Sequence, residues 1–366
     1  MSSVYKIFFT VFSLHMFITG ISQSGGEKDI DITEYRPRFI SLPPADTKYT
    51  PSLPASAIEV FDVRFDTSNI GLLQNSVVGK EKLIHFKKGP ANEVKEYYRS
   101  AIRLTNADNS LTTFTIACFI KKLFISDNIY IDKGQRASSK DLNFEIRSGA
   151  IAMIEFYATR GEGFIPLYRF DSTITGEKDI YHYGQSYISE ILLASLRKIG
   201  TINWEKISTL SKSKSRTEID AYNNSRFNIP ILTETPRKGI YLSFENFKKN
   251  TPLDTAFSVE KTKRGDFLYV KNKKGEDILQ TEFWGYSDGK DSYIFSAQNY
   301  FKLYRYDNAF MIYGAKDFTS VRKLRLNFGL LDIAMPNSNY AKAKTANSYK
   351  LEFSLFQLDM DTGELY

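Results

Sequence analysis

The sequence predicts an α+β protein: an N-terminal mixed-sheet α/β unit of two layers over residues 58–204, then a β-rich unit, a small barrel or sandwich, over 238–366. Three observations predict it. Residues 58–66 (IEVFDVRFD) alternate, with Phe61, Val63 and Phe65 on one face and Asp62, Arg64 and Asp66 on the other, as a half-buried strand does. Two helical stripes are interleaved with long runs rich in Thr, Phe and Ile, so helices pack on a sheet. Beyond residue 238, short β-type runs recur between turn signals, the pattern of a small all-β unit.

The elements follow in order. Residues 1–22 carry one charge, Lys6, then an apolar run over 7–21, then Gly20-Ile21-Ser22 with small residues at −3 and −1 before Gln23. That is a secretory signal, and the fifteen-residue run is short of the ~20 apolar residues a spanning helix needs. Cleavage is expected near Ser22/Gln23, with a periplasmic or secreted location and no integral membrane span afterwards. Residues 23–57 read as an extended leader, broken by Pro37, Pro43, Pro44, Pro51 and Pro54. After the first strand, Gly89-Pro90 opens a helix through Leu104, because proline lacks only an N–H that a first turn leaves unused. Residues 111–125 form a strand, and 144–159 and 164–174 form a hairpin around Arg160-Gly161-Glu162-Gly163. Residues 185–199 form an amphipathic helix on Ile188, Ile191, Leu192, Leu196 and Ile199.

The Ser- and Lys-rich stretch within 205–237 reads as a linker. Ser243 caps a short helix over 244–250. Strands are expected at 256–261, 267–271, 278–284, 292–296, 300–306, 309–314 and 349–358, with a short helix near 322–331.

Composition narrows the function classes. Cys118 is the only cysteine and lies inside an apolar run, which excludes an intramolecular disulfide framework and a lipid-bearing cysteine after the signal. It is expected to be a small buried hydrophobe. The net charge of +7 falls to +6 once Lys6 is removed. Outside the cytoplasm that mild excess suits solubility or an envelope protein or glycan as partner rather than nucleic acid.

Residues with the spacing of a reactive centre are few in this chain. His85 and His182 are the histidines beyond the signal, no metal-ligand spacing occurs, and no G-x-S-x-G is present. No cofactor, metal or catalytic residue is expected. His182, at the start of the last helix, suits capping or packing. Asp62 and Asp66 on one strand would stand about 13 Å apart, and a solvated strand face with cross-strand ion pairs is expected. Residues 359–364 (DMDTGE) read as a turn. Aromatic residues are abundant, 28 Phe, 23 Tyr and 2 Trp, and most suit sheet packing. Trp284 and Tyr286, flanking Gly285, are the residues expected to present an exposed recognition patch.

Two resemblances follow from these motifs. The order of IEVFDVRFD, helix, long strand, hairpin and last amphipathic helix, over about 140 residues, resembles the α/β domain of bacterial envelope lipoproteins related to the curli-secretion lipoprotein, without their lipid-bearing cysteine. The stretches KGIYLSFENFKKN (238–250), FWGYSDG (283–289) and LDMDTGELY (358–366) look like uncharacterised exported proteins of Bacteroidota, which implies no activity and no site residues. The function expected is that of an exported, non-catalytic cell-envelope protein that binds another envelope component. The alternatives are an exported hydrolase acting on polysaccharide or peptidoglycan, and a carbohydrate-binding module.

Overall fold

A computed structural model of the chain describes residues 35–46, 51–74, 81–105, 114–132, 144–209, 213–253, 256–262, 265–296, 299–315 and 353–366. The expected signal, much of the expected leader and the helix expected near 322–331 lie outside the described residues. The protein is α+β.

The N-terminal sheet is built on β7 (Phe114–Asp132), the antiparallel β8 (Phe144–Arg160) and β9 (Gly163–Gly176). On the other side of β7, β3 (Ala55–Asp62) and β4 (Gly71–Leu73) run parallel to it, one after the other along the same edge. β5 (Lys82–Phe86) pairs with β4, and β1 (Arg38–Ile40), from the leader, pairs parallel with β5. A second leader strand, β2 (Ser52–Leu53), pairs with β6 (Arg103–Leu104). Part of the leader is thus woven into the N-terminal unit.

Side chains of β7 alternate between two cores, as a period of two requires. Ile116, Cys118 and Ile120 face α1 (Pro90–Ala101) and α2 (Ile180–Gly200). Val94, Tyr98, Ile188, Ile191 and Leu192 complete that core, each such side chain contributing about 1.5–3 kcal/mol on burial. Tyr98 Oη and Ser195 Oγ hydrogen-bond across the two helices at 2.8 Å. Cys118 is wholly buried, and burial pushes its thiol pKa well up. Ala117 and Phe119 face the other way, toward α4 (Arg216–Ser225), which sets Ile219 against Phe119, Tyr157 and Phe164.

The segment 205–237 thus folds into α3 (Trp204–Ser208), α4 and α5 (Pro230–Thr233). A capping box starts α4: the Glu218 backbone N–H donates to Ser215 Oγ, and the Ser215 backbone N–H to the Glu218 carboxylate.

The C-terminal half contains β10 (Gly239–Tyr241), α6 (Phe244–Lys248), β11 (Phe257–Thr262), β12 (Gly265–Lys271), β13 (Asp277–Leu279), β14 (Gly285–Ser287), β15 (Ser292–Ser296), β16 (Asn299–Tyr306), β17 (Ala309–Ala315) and β18 (Phe353–Leu358). Ser243 caps α6 as expected, accepting from the Asn246 N–H. An open antiparallel sheet runs β10-β14-β15-β16-β17-β18, and β11-β12-β13 form a second sheet packed on it through Leu268, Ile240 and Tyr286. Among the described residues no barrel closes. The strand expected over 278–284 ends instead at Leu279: β13 pairs in the small sheet, the chain then crosses, and β14 begins in the large one at Gly285, beyond the expected range.

The two halves share an apolar contact of Leu72, Leu83 and Phe124 with Met311 and Leu355. No helix among the described residues is long and apolar enough to cross a membrane.

Candidate functional site

Two places gather charged side chains. The first lies where the halves meet. The strand expected over 58–66 stops at Asp62, and residues 63–70 loop out between β3 and β4. Arg64 and Asp66, expected on a solvated face, are only 4% and 5% exposed. The reason is local hydrogen bonding. Arg64 donates to both Asp62 carboxylate oxygens at 2.8 and 2.9 Å and to the Asn69 carbonyl at 2.7 Å. Asp66 accepts from the Ser68 N–H at 2.8 Å, from Ser68 Oγ, from Asn69 Nδ2 at 2.6 Å and from Gln357 Nε2 at 3.3 Å. Burial raises the Asp66 carboxyl pKa, opposed by the Ser68 hydrogen bonds and the Arg64 charge.

Side chains from the C-terminal half complete this junction. Lys122 pairs with Asp359, and Arg226 pairs with Asp361 at 2.8 Å. Gln74 Nε2 donates to the Leu355 carbonyl at 2.6 Å, and Glu81 accepts from Ser354 Oγ and the Leu355 N–H. The DMDTGE segment is the turn expected: Asp359 accepts from the Asp361 N–H at 2.9 Å and Thr362 Oγ1 at 3.0 Å. The space inside is about 60 Å³, on the order of two water molecules. Three carboxylates border it, Asp66, Asp359 and Asp361, but it has no room for a glycan between them. The junction is equipped for holding the halves together.

The second place is a groove of about 440 Å³. It exists because β16 changes partners. Residues 299–303 pair with β15, whereas 304–306 pair with β17 on the opposite side. β15 begins only at Ser292, opposite Leu303, so a gap opens beside Tyr304, Arg305 and Tyr306. Ile231, Glu234 and Pro236, in and just after α5, also line it, as do Lys290 and Asp291. Asp291 is paired with Lys302 at 3.0 Å, and Glu234 accepts from Arg237 and Asn250. Lys290 also lines the groove, and its ammonium meets no carboxylate among the described residues. Arg305 reaches the Asp307 carbonyl at 3.5 Å. Ser292 is 3% exposed, and its hydroxyl has no hydrogen-bond partner among the described residues.

Trp284 and Tyr286, expected on an exposed patch, are interior, 7% and 6% exposed. Tyr286 lies in β14, between β10 and β15, with Trp284 just before that strand, and the two rings are packed into separate apolar clusters. Trp284 stacks on Phe247 with centroids 4.6 Å apart, and Tyr286 stacks on Tyr293 at 4.7 Å. Gly285 allows this. A Cβ there would collide with the Tyr293 carbonyl oxygen, so only glycine lets β14 approach β15 so closely. His182 sits in the first turn of α2, its N–H donating to the capping Asp179 at 2.8 Å. Burial of the His85 ring lowers its pKa. Among the described residues no three His, Cys, Asp or Glu side chains are placed to hold a metal ion.

The groove residues were not found from the sequence. They lie in three stretches between residues 231 and 310, which read from the sequence as the end of a linker and as ordinary strands and turns.

No family model matches the chain, and no curated protein matches it in sequence. Among the solved structures that show a likeness are two of low identity. One is a protein described only as uncharacterised, 10% identical with a TM-score of 0.25, covering 45% of this chain and 97% of its own. The other is a DUF330 protein from Xanthomonas campestris, 9% identical with a TM-score of 0.25, covering 52% of this chain and 98% of its own. Neither bears on function.

Proposed function

We propose that this chain is an exported, non-catalytic protein of the cell envelope that binds another envelope component, and that the groove beside β16 is where it binds. The observation that carries the reading is the groove itself. At about 440 Å³ it falls within the ~300–1,000 Å³ typical of ligand sites. It combines two cations not matched by carboxylates, Lys290 and Arg305, with a buried hydroxyl, Ser292, and apolar walls from Ile231, Pro236 and Phe310. Two such positive charges suit an anionic group, and the net charge, +6 once Lys6 is removed with the expected signal, favours approach to a negatively charged envelope surface.

The test is capture from native envelope extract by the purified protein and by the double variant Lys290→Glu/Arg305→Glu. Wild type retains a component that the variant loses, and added salt weakens the retention. Equal capture by both proteins, or turnover of a polysaccharide or peptidoglycan by the purified protein, overturns the reading.

A further inference from the structure

The N-terminal sheet ends on β9, a fourteen-residue strand. Among the described residues its outer side is paired only at Phe164, which exchanges both main-chain bonds with Lys214, at 2.8 and 2.9 Å. Pro166 follows, without an N–H to offer. From Leu167 to Gly176 the edge is open among the described residues; it contains neither Lys nor Pro, and its two charged residues, Arg169 and Asp171, are of opposite sign.

The pairing pattern determines which groups that edge offers. Phe164 points its N–H and C=O outward, so its neighbour Ile165 bonds to Ala158 of β8. Alternation along β8 then turns Phe156, Ile154, Ala152 and Ala150 toward β9, opposite Tyr168, Phe170, Ser172 and Ile174. The irregularity at Leu167 has shifted the outward set to odd numbers. Arg169, Asp171, Thr173 and Thr175 therefore present free N–H and C=O groups. The side chains of Arg169, Asp171 and Thr173 are exposed, whereas Tyr168, Phe170 and Ile174 pack against the α1–α2 core.

We infer that β9 is a self-association surface: two copies of this chain pair antiparallel along it, about a two-fold axis at Phe170. In that register Arg169 lies directly opposite the partner's Asp171, twice over. Both residues belong to the outward set, so each such pair exchanges two main-chain bonds, about four in all. The two Phe170 rings meet at the axis in a close, non-hydrogen-bonded pair. The neighbouring register, centred on Asp171, sets two like charges face to face and is disfavoured. Opposite charges two residues apart on one open strand make this edge complementary to itself, and the result is one continuous sheet through both copies.

The test is sedimentation and light scattering over a concentration series. Wild type is a dimer at high concentration. Asp171→Arg places like charges opposite each other in two pairs and weakens association about tenfold or more. The double variant Arg169→Asp/Asp171→Arg restores the dimer. Asp171→Pro removes an outward N–H that β8 does not use, and it abolishes the dimer while leaving thermal unfolding little changed. That control matters because, within one copy, Arg169 also stands 3.7 Å from Asp171 and 3.9 Å from Glu155, so Asp171→Arg disturbs an intrachain pair as well. A wild type that stays monomeric at every concentration, or a dimer that survives both Asp171→Arg and Asp171→Pro, overturns the inference.

Discussion

The junction between the halves and the groove beside β16 use the same residue types in opposite ways. At the junction, Lys122 is enclosed with Asp359, and Arg64 spends its guanidinium on Asp62 and main-chain carbonyls. In the groove, Lys290 and Arg305 face open space without a carboxylate. A buried charge with no partner would be ruinous, so the junction is closed by its own pairing. An exposed charge without a partner costs little, and it is free to meet something else. Charge alone marks neither place; what separates them is whether the chain supplies the counter-charge.

That contrast can be broken most sharply at Lys122. Lys122→Met strands the Asp359 carboxylate in a site where its side chain is 5% exposed. We expect a loss of about 3–5 kcal/mol in urea unfolding, and Lys122→Met/Asp359→Leu recovers much of it. A loss below about 1 kcal/mol, the worth of a surface pair, would show that the junction is no more than that. Gly285→Ala comes next. Its methyl group forces β14 away from β15, which forms one end of the groove, at about 1–3 kcal/mol, read by thermal unfolding.

Asp179 gives a smaller, pH-dependent effect. Burial acts to raise its carboxyl pKa, but hydrogen bonds from the His182 N–H and ring outweigh it and hold the pKa below the ordinary 3.8. Because the folded value is depressed, the stabilisation is complete above 3.8 and is lost as pH falls through the folded pKa. Asp179→Ala should cost about 1 kcal/mol near neutral pH, and the gap to wild type should close in acid. The smallest stability change belongs to Lys290→Glu/Arg305→Glu, within about 0.5 kcal/mol, although capture is lost. A large destabilisation there would mean that the groove cations have a structural task after all.

Much of the fold was legible because local pattern and tertiary role agree. Residues 292–296 form β15 at the expected bounds, and 144–159 and 164–174 form the expected hairpin. The short β2 and β4 were missed, since pairing across the sheet rather than their own pattern makes them strands. Arg64 and Asp66 misled because alternation reports only which side a residue faces. It does not report that a loop and the C-terminal segment will cover that side. The helix α4 had a readable signal in Ser215 and Glu218, three residues apart, masked by the Ser- and Lys-rich run before it. Trp284 and Tyr286 were recognised as a pair of large rings, but the sheet that covers Tyr286 is assembled from β11–β13.

The bond from Gln74 to the Leu355 carbonyl has a consequence for synthesis. Its partners are 281 positions apart, which at translation rates of roughly 5–20 residues per second separates their emergence by tens of seconds. Through most of that interval the surface that includes Gln74, Glu81 and Lys122 waits without β18 and the turn that follows it. Completion of the N-terminal half is therefore a late event in the life of the nascent chain, and any chaperone that shields this half should bind most strongly just before Leu355 emerges.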